Sequence, residues 1–205
     1  MTAPRRAASC AALLFGLAVA LSGALVRAQV VVPTKDPQRP RIRYADSLLS
    51  LNVQCIVRGG TLNPAFKASY VNSRPIGFCC RTCPGVFAQD PEPYLRNQQI
   101  EVPCMVYTKR KARIDLSLRR RIGHDLFYFS TAQAMRVFDR DPLKYVKSLS
   151  DPVTDDRFKV TRSSPHETYR DRTYYFASEV THAAFDANRE KYRDRREVAL
   201  TESTP

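Results

Sequence analysis

The sequence predicts an α+β fold of three tandem units, each a small β-hairpin followed by a helix, after a cleaved signal peptide. Two observations predict the repeat: an aromatic frame that recurs three times, and a strand–turn–strand–helix pattern inside each recurrence. The frame is a Phe, a second Phe nine residues later and a Tyr seven residues after that. Its members are Phe78, Phe87 and Tyr94, then Phe129, Phe138 and Tyr145, then Phe176, Phe185 and Tyr192. Three units that keep both spacings indicate an internal repeat.

The N-terminus has the pattern of a secretory signal peptide over residues 1–28. Arg5 and Arg6 supply its positive charge, and the following run from Ala11 to Val26 is apolar and uncharged. Small residues flank Arg27 as a cleavage site requires, and an uncleaved anchor is the alternative interpretation. We therefore expect export to a periplasmic or extracellular space, with no transmembrane segment in the mature chain.

The chain is strongly basic, with a formal net charge of +13. Removing the signal peptide takes away three arginines and leaves +10. This charge favours an acidic protein or an anionic surface as a partner, although a solvated basic surface explains it equally well. Nucleic acid is the poorer prediction, because export removes the usual target.

The mature chain is predicted to hold a leader, three units and a tail. Residues 29–45 contain three prolines among charges and no periodicity, which is typical of a flexible leader. A short helix is expected from Asp46 to Leu51, with Asp46 as its cap. The predicted units span 46–98, 99–148 and 149–196, followed by a tail at 197–205.

Each unit shows the same local pattern of two strands and a helix. The first hairpin is predicted to turn at Ser73–Pro75, the second through an Arg-rich loop, and the third at Asp171-Arg172. The predicted strands are Ala68–Asn72, Ile76–Cys79, Ile114–Leu118, Leu126–Phe129, His166–Arg170 and Thr173–Phe176. The predicted helices are Arg81–Gln89, Thr131–Arg140 and Ser178–Asn188, with Ser130 and Ser178 at helix starts. We interpret the aromatic frame as core packing.

Cysteines mark the one stretch with candidate chemistry. Cys79 and Cys83 are four residues apart where a strand leads into a helix, so both sulfurs are expected on one face, with the helix N-terminus favouring thiolates. Cys55 precedes Gly59-Gly60, and such glycines let a backbone turn tightly around an ion. A turn cysteine, a hairpin and two cysteines at the next helix start is the layout of a treble-clef zinc site. Cys80 is the fourth candidate ligand, ranked below these three because adjacent cysteines seldom share one ion.

These residues resemble the YHS domain family, relatives of the treble-clef, metal-binding TRASH group. The resemblance rests on Cys55, the Phe78–Cys83 step, Phe87, Asp90-Pro91 and Tyr94. It implies binding of a transition metal, copper or zinc, in metal-handling proteins. The other two units look degenerate and metal-free. The second keeps Cys104 but has Ser130 and Ala134 at the paired positions, and the third has Asp151, Ala177 and Thr181.

Other functions remain open from the sequence. Cys104 can act as an extra ligand or pair with Cys80 in a disulfide, and five mature cysteines cannot all pair. Cys80 and Cys83 have the Cys-x-x-Cys spacing of a thiol-redox protein, and a metal-free repeat scaffold for an acidic partner is a further alternative. His124, His166 and His182 lack paired spacing and are expected to be surface residues. No hydrolytic or phosphate-binding motif is present, so we predict that the protein is not an enzyme.

Overall fold

The computed structural model describes residues 29–32, 41–44 and 46–194, so the predicted signal peptide and tail lie outside the described residues. The fold is α+β, as predicted, with four small sheets in this part of the chain. The strands are β1 (Val30–Val32), β2 (Arg41–Arg43), β3 (Ser69–Val71), β4 (Arg74–Ile76), β5 (Arg119–Ile122), β6 (Asp125–Tyr128), β7 (Ser148–Ser150), β8 (Arg157–Lys159), β9 (His166–Tyr169) and β10 (Arg172–Tyr175). The helices are α1 (Cys83–Gln89), α2 (Pro91–Asn97), α3 (Ala132–Arg140), α4 (Glu179–Ala187) and α5 (Arg189–Tyr192). None of the helices described is long and apolar enough to cross a bilayer.

The first and third hairpins turn one residue earlier than predicted, whereas the second turns at Gly123-His124, inside the loop predicted for it. Asn72 and Ser73 have φ of 46° and 60°, and Arg170 and Asp171 have 47° and 61°. Left-handed residues at both central positions match the right-handed twist of the strands they join. The sequence prediction placed the first turn later because Pro75 suggested a turn. Pro75 instead lies in β4, an edge strand of its sheet, where its missing N–H costs no internal bond.

The Arg-rich stretch expected as a loop is the strand β5, antiparallel to β6. β6 also pairs in parallel with β3 through Val71 and Leu126. The sheet order is therefore β4-β3-β6-β5, so the first two predicted units share one sheet. Asn72 reinforces the junction, because its side-chain carbonyl accepts from Tyr128 N–H at 2.7 Å and its amide donates to Tyr128 O at 2.9 Å. The units are thus joined by backbone pairing that local sequence patterns did not indicate.

The aromatic frame packs in the same way in all three units. The first Phe of each frame, at the end of the hairpin, meets the Phe late in the helix. Their ring centroids are separated by 5.8 Å for Phe78–Phe87, 4.9 Å for Phe129–Phe138 and 5.2 Å for Phe176–Phe185. All six rings are at most 1% exposed, and they lie in three separate core clusters. Each hairpin and helix thus centres a core cluster on a tilted aromatic pair, and neighbouring units add residues to it, such as Tyr128 in the first cluster and Val160 in the second.

The N-terminal part of the described chain differs from the predicted leader and helix. Val30–Val32 pairs antiparallel with Arg41–Arg43, and Ile42 is fully buried in the first core. Asp46 does not begin a helix. Its side chain accepts from Leu48 N–H at 3.1 Å in a local turn, which is the competing conformation that a short polar side chain favours.

Candidate metal centre

Three thiols converge from three separate places in the first unit. Cys55 lies in a turn before the hairpin, Cys79 follows β4, and Cys83 is the first residue of α1. Their Sγ atoms all lie within 4.8 Å of one another. Cys55 and Cys83 are fully buried, whereas Cys79 is half-buried. The group therefore sits at the edge of the first core, with Cys79 the least buried of its three residues.

A tight turn positions Cys55. Its N–H donates to Gly60 O at 2.8 Å, and its carbonyl accepts from Gly59 N–H at 2.8 Å. Gly59 has φ +72°, which a residue with a side chain rarely adopts. A Cβ on Gly60 would lie 3.4 Å from Cys79 Cβ and 3.5 Å from its sulfur. Gly59 thus has the turning role that the sequence suggested, whereas at Gly60 a Cβ would make only an ordinary van der Waals contact with Cys79.

Cys79 and Cys83 come together by a different route from the one predicted. The helix was expected from Arg81, but α1 begins at Cys83, and Cys79 precedes it in a bend. Thr82 caps the helix without a side-chain hydrogen bond, and Pro84 occupies the first turn, where its missing N–H is tolerated. The two sulfurs are nevertheless 3.8 Å apart.

The four clustered thiols fall into two groups by the direction of their pKa shift. The pKa is lowered for Cys55 and Cys80 and raised for Cys79 and Cys83. Burial raises the pKa of Cys55, but N–H groups of Arg58, Cys79 and Val57 outweigh it and lower the pKa overall. Burial, with hydrogen bonds to Cys80 and Cys55, raises the pKa of Cys83. Burial and the neighbouring Cys55 also raise the pKa of Cys79. The lowering of the Cys83 pKa expected from the helix start is therefore not found in the metal-free cluster, because burial, reinforced by hydrogen bonds to neighbouring thiols, raises that pKa.

Cys80 lies beside the three-thiol group and contacts only part of it. Its Sγ is 3.0 Å from Cys83 Sγ and 3.4 Å from Thr82 Oγ1. Burial opposes ionisation, but hydrogen bonds from Cys83 and Thr82 lower the pKa of Cys80 to about 6. Cys80 is half-buried, so a thiol of lowered pKa lies next to the buried thiol of Cys83.

Cys104 is not brought to this group. It is fully buried in the core of the second unit. Burial raises its pKa, but N–H groups of Tyr107 and Ser130 lower it overall. The five cysteines that the structure describes, at 55, 79, 80, 83 and 104, are all free thiols.

Asp151 fills the corresponding place in the third unit. Its backbone forms the same turn as Cys55, with Asp155 N–H bound to Asp151 O at 2.8 Å and φ +56° at Asp155. The buried carboxylate accepts from Val153 N–H at 2.9 Å, Thr154 N–H at 3.1 Å and Ala177 N–H at 2.8 Å. Ala177 occupies the frame position of Cys79. From the sequence, Asp151 was recognised only as a position where a cysteine is missing. Its carboxylate in fact connects its own turn to Ala177 through hydrogen bonds.

Two of the three histidines make more contacts within the fold than expected. His124 is buried, with a side chain 4% exposed, and its ring nitrogens contact Asp155 Oδ1 at 3.1 Å and Tyr192 O at 2.9 Å. The expectation of a surface residue is wrong for His124, which connects the second hairpin to the third unit. His182 stacks on Phe176 with a centroid separation of 4.6 Å. Neither of them belongs to the three-thiol group.

Comparison with known proteins gives no relative. No protein-family model, curated protein or solved structure matches the chain. The site is therefore interpreted from its geometry.

Proposed function

We propose that this protein binds one transition-metal ion, zinc or copper(I), through the thiolates of Cys55, Cys79 and Cys83. The convergence of their three sulfurs within 4.8 Å carries the proposal. Two thiolates 2.3 Å from one zinc ion at a tetrahedral angle are about 3.8 Å apart. The separation of Cys79 and Cys83 sulfurs is 3.8 Å, so the pair fits such an ion with little movement.

The choice between the two metals depends on Cys80. If its sulfur turns from Cys83 into the group, four thiolates suit structural zinc, which would stabilise the first unit's fold. If it stays outside, three soft sulfurs favour copper(I). The half-buried Cys79 gives such a site an exposed edge through which an ion can be exchanged.

The family of the first unit and the export of the protein are inferred from other features of the chain. We infer a treble-clef-like, YHS-related unit, followed by two units that keep the aromatic frame without the ligands. The recurring Phe–Phe packing supports three related units, and the apolar segment at 11–26 supports export through a signal peptide. Such a protein would handle metal outside the cytoplasm.

The test measures bound metal and thiols in the mature chain purified under reducing, anaerobic conditions. About one equivalent of zinc or copper is expected, because the group offers one site. Replacing both Cys79→Ser and Cys83→Ser should lower the content at least tenfold, since a hydroxyl is a far weaker ligand for soft ions. Cys104→Ser is the matched control, and it should retain one equivalent. A wild-type protein without metal after incubation with either ion would refute the proposal.

A thiol–disulfide function is the second candidate, favoured by the 3.0 Å separation of Cys80 and Cys83 sulfurs. A half-buried and a buried thiol at a helix start can exchange with a partner disulfide. Cys80 thiolate would attack it and release one thiol. Cys83 would then displace the second thiol and close an intramolecular disulfide. Since Cys83 is also a proposed ligand, this oxidation would break the metal site.

Equilibration with glutathione redox buffers, followed by alkylation and mass measurement, tests this candidate. We expect two thiols to disappear together in the metal-free protein, because the pair needs only a small movement to bond. Cys80→Ser should abolish that loss, and Cys104→Ser should leave it unchanged. Protection by one equivalent of zinc would show that both chemistries use Cys83. Retention of all five thiols in oxidising buffer would exclude the redox function.

A further inference from the structure

A polar cavity lies where the three units meet. Its volume is about 350 Å³, and no cysteine lines it. Its basic lining residues are Arg119, Arg121 and Arg172, and we call it the three-arginine cleft. Ala88 and Gln89 of α1 and Asp194 complete the wall, so each unit contributes to it.

The fold places these arginines together. Arg119 and Arg121 are two residues apart on β5 and share one face of the sheet. Arg120 points the other way and forms a two-pronged pair with Asp139, at 2.9 Å for each contact. The turn after β5 bonds to the third hairpin, with Gly123 N–H donating to Thr173 O at 2.8 Å. That contact sets the start of β10, with Arg172, beside the two β5 arginines.

Two of the arginines have carboxylate partners. Arg119 pairs with Glu92 at 2.8 Å, and Arg172 pairs with Asp194 at 3.2 Å. Each of these contacts uses one nitrogen of a guanidinium that carries five N–H donors. Arg172 Nη1 also donates to Arg193 O at 2.8 Å, and the other nitrogens of both guanidiniums have N–H groups to offer a further acceptor.

Among the described residues, no carboxylate pairs with Arg121 alone. Its Nη2 donates to Ala88 O at 2.8 Å, and its Nη1 lies 4.0 Å from the Asp194 already held by Arg172. Its Nε is buried and meets no acceptor among the described residues. Burial, together with the positive charges of Arg119 and Arg172, lowers the pKa of Arg121 to about 10. In the part of the chain that the structure describes, three cations thus face two anions here, and an added negative charge would relieve the imbalance.

We propose that the three-arginine cleft binds a phosphate-type oxyanion, as free phosphate or as the phosphate group of a small monoester. Guanidinium groups match phosphate oxygens in pairs, with shorter and stronger bonds than neutral donors make. The site rests on contacts from all three units and does not use the thiol cluster. It is therefore independent of the proposed metal function, and its ligand would fasten the units to one another.

Calorimetry and thermal melting with inorganic phosphate and with glycerol 3-phosphate test this site. Ionic strength is held constant with sodium chloride. At ten times the dissociation constant, the midpoint of unfolding should rise by about 3 °C or more. Arg172→Gln should weaken binding about tenfold, because it removes a charged donor pair. Asp194→Asn should strengthen binding severalfold, because it removes the carboxylate that competes for Arg172 and Arg121.

Arg162→Gln is the matched control. It removes the same charge from a side chain that is 78% exposed and paired with Asp141 outside the cleft, so it should bind as wild type does. Melting without phosphate shows whether each variant is folded. Binding of only one probe identifies the source of the phosphate group and supports the site. No binding of either probe, or equal effects of Arg172→Gln and Arg162→Gln, would overturn it.

Discussion

Asp151→Ala is expected to lower the free energy of unfolding by about 3 kcal/mol or more. The Asp151 carboxylate is fully buried and accepts from the N–H groups of Val153, Thr154 and Ala177. Alanine would leave these donors without that acceptor, and each unsatisfied buried donor costs about 1–3 kcal/mol. Chemical denaturation followed by circular dichroism measures the change.

Two further variants make the Asp151 test specific. Asp151→Asn keeps the shape and one oxygen but replaces the other oxygen by a donor, so its loss should be intermediate. Asp90→Ala removes an exposed carboxylate that makes no capping hydrogen bond, and it should change stability by less than about 0.5 kcal/mol. Equal stability of Asp151→Ala and Asp90→Ala would contradict a cross-linking role for Asp151.

Arg157→Met is expected to cost about 3–5 kcal/mol, because it leaves Asp125 as a buried unpaired charge. The side chains of Arg157 and Asp125 are 7% and 1% exposed and form a direct ion pair. The guanidinium also lies over the Tyr70 ring, 3.8 Å from its centroid, and donates to Ser148 O at 2.7 Å. One side chain of the third unit thus contacts the other two.

A double-mutant cycle separates the pair from its surroundings. Arg157→Met combined with Asp125→Leu should recover a large part of the loss, since replacing both buried charges by apolar groups is often neutral. Arg120→Met is the matched control. Its partner Asp139 is solvent-exposed, and such pairs contribute about 0.2–1 kcal/mol. Additive losses in the cycle would show that Arg157 acts through packing and not through Asp125.

The aromatic spacing predicted the local packing well, because a hairpin and the helix after it are close in sequence. Phe78 and Phe87 meet as the repeat required, and Cys55, Cys79 and Cys83 converge as their spacing indicated. Turn positions were less predictable. Asn72 adopts a left-handed conformation because its side chain bonds to Tyr128, which is far away in the sequence.

Most features that the sequence did not predict depend on contacts between units. β5 is a strand because β6 pairs with it, although three consecutive arginines suggested a loop. Within the cleft, Arg119 and Arg121 meet Arg172 only because two hairpins abut. Asp151 could have been recognised from its position, since a short acidic side chain at a turn suits capture of free N–H groups. Aligning the aromatic frames gave no reason to expect that the Asp151 carboxylate would hold the turn where Cys55 stands in the first unit.

The parallel pairing of β3 with β6 couples the local unfolding of two hairpins. Val71 is in the β3–β4 hairpin and Leu126 in the β5–β6 hairpin, so neither hairpin can leave the sheet without exposing the backbone of the other. In hydrogen-exchange terms, such strands belong to one cooperative element. A ligand held by the folded first repeat then protects both halves of that element by mass action. If an ion binds at Cys55, Cys79 and Cys83 as proposed, its occupancy would be coupled to the persistence of β6, a strand of the other hairpin.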